Sequence, residues 1–292
     1  MAVEKHQFLN RMRFISILMH DNVRYPAVAG RFYPIEKDIL RNTVERCFEH
    51  VLGPGTIPET GCARSIKAVM SPHAGYMASG MFAAHTYSAL KEDGRPDAYV
   101  IIGPDHYGIP YDFVLCSDAY LTPLGECRTH QEICARLREL MPDDPRAHMR
   151  EHSIEVQIPF LQTIDPDAKI VPIIMSRQDV RTAERLSQIL KEACEGFDVV
   201  FIASTDLMHY VPARVEKNID TKYLEKVCEC DIDGMYHMIQ DFEMTVCGNG
   251  PTAVAILASG SRKGKLLAHG NSWDSLGFDE DAVVGYASTM FE

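Results

Sequence analysis

The chain has 292 residues, 46% of them apolar and 24% charged, with 41 acidic side chains against 29 basic ones and a formal net charge of -12. Disorder needs a less hydrophobic chain, low-complexity sequence needs more than the 19 Gly and 16 Pro present, and no stretch reaches the ~18 uninterrupted apolar residues of a membrane span. The acidic balance argues against a nucleic-acid groove, and nine cysteines spread singly form no disulfide framework, which points to a reducing, cytoplasmic setting.

In chain order, Lys5, Arg11 and Arg13 precede the apolar run Phe14 to Met19, and Ala27-Val28-Ala29 resembles a signal-peptidase site. The run is too short for a secretory core, so residues 1–23 are read as an unassigned extension, with Met12 or Met19 as an alternative start. From Arg24, short β-rich apolar runs alternate with helical periodicity. Strands are expected at Ile66 to Met70, Ala98 to Ile102, Lys169 to Ile174 and Asp198 to Ala203, with further ones through Asp112 to Ser117, Gly264 to His269 and Asp281 to Met290. Helices are expected at Glu132 to Leu140, at Val180 to Ala193 with Asp179 as N-cap, and at Ala213 to Cys228 with Val215, Ile219, Tyr223 and Val227 on the buried face. A last helix follows Pro251, which is placed at its first position. This alternation predicts one α/β domain over residues 24–292, a largely parallel or mixed central sheet with helices on both faces.

The chemistry is expected where strands stop. The first strand runs into Pro72-His73-Ala74-Gly75-Tyr76, the second into Gly103-Pro104-Asp105-His106, and a later one into Ser204-Thr205-Asp206 with His209. In open α/β sheets the crevice beyond the carboxyl ends of strands takes ligands. Cys247, just before a helix, has its thiolate favoured by the helix dipole. With His73 and His106 it makes a set of two imidazoles and one thiolate that leaves positions open on a transition metal. Asp206 and His209 would orient the ligands or act as an acid/base pair. Glu151-His152-Ser153-Ile154-Glu155 reads as a helix start with Ile154, Ile158 and Leu161 as its buried stripe, and Glu151 and His152 are kept as candidate pocket residues. The remaining histidines, His269 among them, are given no functional role, and Cys228-Glu229-Cys230 is not read as a metal pair.

These segments together, with the opening Arg24-Tyr25-Pro26-Ala27-Val28-Ala29-Gly30-Arg31-Phe32-Tyr33-Pro34 and the late Cys247-Gly248, resemble the Memo family, its microbial and archaeal branch in particular. The resemblance runs from about Arg24 to the C-terminus. It implies a fold like that of class III extradiol ring-cleaving dioxygenases, whose Fe(II) is held by two histidines and a glutamate. In the Memo family a cysteine replaces the carboxylate, so the resemblance carries over His73, His106 and Cys247 as metal ligands and Asp206 and His209 as residues lining the site. The implied cofactor is one Fe(II) or Cu ion, with zinc less favoured.

The expected function is a metal-dependent oxidoreductase acting on a small molecule. A non-catalytic regulatory protein that binds a small ligand or peptide is the alternative, and a zinc hydrolase with Asp206 as base is a weaker one. Neither a nucleic acid nor a membrane is expected as partner.

Overall fold

The computed structural model describes residues 22–292. The Phe14 to Met19 run and both alternative start residues lie outside the described residues. Eleven strands form one mixed sheet: β1 (Val23–Arg24), β2 (Ala68–Ser71), β3 (Ala98–Pro104), β4 (Phe113–Leu115), β5 (Ala119–Thr122), β6 (Gly125–Thr129), β7 (Lys169–Met175), β8 (Val199–Ser204), β9 (His209–Val211), β10 (Gly264–Asn271) and β11 (Val283–Phe291). Their order is β1-β5-β6-β7-β3-β8-β2-β11-β10, with β4 beside β7 and β9 beside β11. The middle of the sheet, from β6 to β2, is parallel, and β11 and β10 continue it antiparallel.

The α-helices of the described residues are α1 (Lys37–Glu49), α2 (Tyr76–Asp93), α3 (Gln131–Arg138), α4 (Pro145–His148), α5 (Ile158–Ile164), α6 (Val180–Ala193), α7 (Ala213–Glu229), α8 (Ile232–Asp241), α9 (Asn249–Ser259) and α10 (Ser272–Leu276). The central strands are apolar on both faces because each face is covered. Along β3, Ala98, Val100 and Ile102 pack into one core with Leu186, Tyr223 and Val254, while Tyr99 and Ile101 point into a second core with Val44, Tyr87 and Phe160. This two-sided packing is the α/β architecture that the strand and helix alternation predicts. Among the described residues, no helix is long and apolar enough to cross a membrane.

Three expectations need correction. The helix at 131–138 ends before Leu140, which is 36% exposed. The last helix starts at Asn249, so Pro251 is its third residue and not its first. On α7 the buried face is displaced: Val215 is exposed, and the buried positions are Glu216, Asp220, Tyr223, Leu224 and Val227. Periodicity missed this face because two of its positions carry carboxylates.

Candidate metal centre

Strand order builds this site. β8 lies between β3 and β2, and the register pairs Ser71 with Ser204 and Ile102 with Ala203, so the three carboxyl ends stop at the same level. His73, His106 and Asp206 therefore leave neighbouring strands side by side. Cys247 joins them from the loop before α9, and Gly248 lets that loop close, since a Cβ there would sit 2.5 Å from the Ser204 carbonyl. Ligand atoms of His73, His106 and Cys247 lie within 4.8 Å of one another.

Hydrogen bonds behind each imidazole decide which nitrogen carries the proton. Ser204 Oγ donates to the Ser153 carbonyl at 2.6 Å, so its lone pairs accept from Gln157 Nε2 at 2.8 Å and from His73 Nδ1 at 2.9 Å. His73 Nε2 is thereby left with its lone pair, 3.2 Å from Cys247 Sγ. His106 donates Nδ1–H to Glu151 Oε1 at 2.9 Å and its backbone N–H to Oε2 at 2.8 Å, which again frees Nε2. A carboxylate or hydroxyl behind the imidazole is the usual companion of a metal-binding histidine. His209 is held in the same way, Nδ1 donating to the Thr245 carbonyl at 2.9 Å.

The electrostatics follow from burial. Burial first, then the neighbouring His106 and His152, hold His73 well below the usual imidazole range, so it is neutral. Burial pulls on His106 too, but its bond to Glu151 outweighs that and raises it. Burial drives the Asp206 carboxyl up to about 6, against the His73 backbone N–H that its Oδ1 accepts at 2.8 Å. His152 is pushed down to about 4, chiefly by burial, and its ring stacks on His106 at 4.7 Å. Burial also pushes the Cys247 thiol up, with Asp206 adding to it. The helix-dipole expectation is outweighed here. A coordinated cation is what makes such a thiol a thiolate, and the Asp206 backbone N–H, 3.1 Å from Sγ, is aimed to stabilise it.

All seven residues singled out in the sequence gather here. Three supports are additional: Ser204, Thr245, and Gln178, whose side chain clasps the Cys247 loop through the Cys247 carbonyl at 2.7 Å and the Gly250 N–H at 2.8 Å. Only Ser204 had a sequence signal, a polar residue ending an apolar strand. The two carboxylates of the 151–155 segment part company. Glu155 is fully buried and binds Arg24, the Ala27 and Val28 N–H groups and the Tyr33 hydroxyl, so neither carboxylate caps a helix. Arg24 in turn donates to the carbonyls of His148 and Glu151, which pins the loop that supports His106. A polar cavity of about 610 Å³, lined by Arg128, His130, Arg138 and Lys169 among others, contains none of these residues.

Comparison with known proteins agrees with this arrangement of motifs. A family model described as Memo-like protein matches residues 24–290. A MEMO1 family protein of Methanopyrus kandleri is 41% identical over 279 residues, covering 92% of this chain and 98% of that protein. One from Methanothermobacter thermautotrophicus is 42% identical over 274 residues, covering 91% and 99%. The crystal structure of an uncharacterized protein from Escherichia coli K12 superposes with a TM-score of 0.46 at 10% identity, over 78% of this chain and 100% of that one.

Proposed function

The chain belongs to the Memo family, and from that premise we propose that it is a metal-dependent oxidoreductase whose His73, His106 and Cys247 hold one Fe(II) or Cu ion against a small-molecule substrate. The observation that carries this reading is the pair of imidazoles whose Nδ1 protons are engaged from behind by Ser204 and Glu151, leaving both Nε2 lone pairs beside Cys247 Sγ. A thiolate with two imidazoles suits copper and is tolerated by Fe(II). When bound, such an ion supplies a redox-active centre with positions left open for a ligand.

The protein's own groups supply the rest. Asp206 Oδ1 fixes the His73 backbone, while Oδ2, 3.9 Å from His73 Nε2, is placed to hold or release a proton at the site. His209 has its Nδ1–H tied to Thr245, so Nε2 is the free base on the open side. His73 is buried from water and Cys247 is half-buried; His106, with a side chain 30% exposed, borders the opening. On this reading one domain carries the sheet from β1 to β11, and the oxidisable Cys247 requires a reducing compartment such as the cytoplasm.

Metal analysis by plasma mass spectrometry on anaerobically purified protein tests the reading. One iron or copper per chain is expected, lost in His73→Ala and in Cys247→Ser while both stay folded by circular dichroism. Equal metal in all three proteins, or zinc alone, would sink it.

A further inference from the structure

A second group of potential ligands lies away from the crevice, on the displaced face of α7. Glu216 and Asp220, one helical turn apart, are both fully buried, and His269 of β10 meets them: one ligand atom from each lies within 4.8 Å of the others. That separation is what two bonds of about 2.0–2.4 Å to a common ion can span. Two carboxylates in one dry site repel each other, and among the described residues no Lys or Arg pairs with either. Something else must neutralise them.

A shared proton is one way, since burial and the neighbouring Glu216 push the Asp220 carboxyl up to about 9; three observations point instead to a cation. Asp220 Oδ1 is buried with no hydrogen-bond partner, so an acceptor is left unused at the cluster. The other oxygens are held from behind, Glu216 Oε2 by Asn271 Nδ2 at 2.7 Å and Asp220 Oδ2 by the Met208 N–H at 3.3 Å, as the outer atoms of metal-binding carboxylates are. Gly285 leaves a bare cradle over the pair, because a Cβ there would stand 2.1 Å from Asp220 Oδ2 and 2.8 Å from Glu216 Oε1. His269 Nε2, 3.1 Å from Glu216 Oε1, supplies the third donor and the only partly exposed side, 12% of its side chain.

We propose that Glu216, Asp220 and His269 form a second metal site, taking a divalent first-row cation such as Mn²⁺ or Zn²⁺ through two carboxylate oxygens and one imidazole nitrogen. Two hard oxygens and one imidazole suit these ions better than a thiol-seeking one. The ion would tie α7 to β10 and, through Met208, to the segment bearing Asp206 and His209. The inference does not depend on the crevice binding a metal.

The test uses the full chain carrying His73→Ala and His106→Ala, which removes both crevice imidazoles, after chelation and dialysis. Titration with Mn²⁺ followed by electron paramagnetic resonance, and with Zn²⁺ by competition with a chromophoric chelator, is expected to show one ion per chain. The thermal midpoint is expected to rise with the ion. Adding Asp220→Asn abolishes the binding, and His269→Gln, at the edge of the site where folding is least at risk, weakens it roughly tenfold or more. No binding of either ion in the background protein overturns the proposal, as does binding that survives both added substitutions. An Asp220→Asn protein that melts higher while cations leave the midpoint unmoved also overturns it, in favour of a carboxyl pair sharing a proton.

Discussion

Glu151 and Glu155 stand four residues apart in one motif, both buried, yet they serve different regions of the molecule. Glu155 is a hub whose acceptors are all taken by Arg24, two backbone N–H groups and a tyrosine, with nothing left to offer a ligand. Glu151 also accepts several N–H groups, but one of them is the ring of His106, whose other nitrogen remains open. The lesson is that burial and charge do not distinguish a structural carboxylate from a functional one. What distinguishes them is whether the last hydrogen bond in the network ends inside the fold or on a side chain with spare valence.

The strongest way to break the comparison is to substitute the hub. Glu155→Gln removes one partner of an ion pair whose side chains are both 0% exposed. It is expected to cost about 3–5 kcal/mol, because a charge is left buried without its counterion. Denaturant titration measures it, and a loss under about 1 kcal/mol would mean the hub is not the structural anchor described. Glu151→Gln should behave in the opposite way. The fold is expected to tolerate it better, while metal affinity falls by roughly 10–100-fold as His106 loses its orienting carboxylate. Unchanged affinity by competition titration would place Glu151 with Glu155.

A smaller effect sharpens the hub side. His148 is fully buried there, accepting the Tyr120 hydroxyl on Nδ1 and donating Nε2–H to the Val114 carbonyl, and burial pushes it down to about 3. Its folded value lies below the unfolded one of about 6.5, so the neutral ring stabilises the fold fully above pH 6.5 and progressively less as the pH drops toward 3. The steepest loss is about 1.4 kcal/mol per pH unit. His148→Gln should flatten the stability profile between pH 6.5 and 5, and parallel profiles for the two proteins would assign the acid sensitivity elsewhere.

Much of the fold was legible because buried parallel strands announce themselves. Lys169 to Ile174 and Asp198 to Ala203 are apolar runs with no room for another reading, and the structure places β7 and β8 over them with a shift of one residue. The α7 face was not legible. Its buried positions include Glu216 and Asp220, and hydrophobic periodicity has no way to register a carboxylate that is buried because it has partners. His269 was passed over for the same reason, since it lies 49 residues beyond Asp220 and no spacing links them.

What the sequence determined by itself is the set of strand ends and the reactive side chains they carry. Apolar runs closed by Pro and Gly write His73 and His106 at the tips of strands, and one closed by Ser and Thr does the same for Asp206, a local property of the chain. Tertiary structure decided what those side chains can do. Strand order put β8 between β3 and β2, and hydrogen bonds spanning 131 residues to Ser204 and 45 to Glu151 selected which imidazole nitrogen faces Cys247. A proton's position on a ring depends on the atom opposite it, and for His73 and His106 that atom comes from a distant segment.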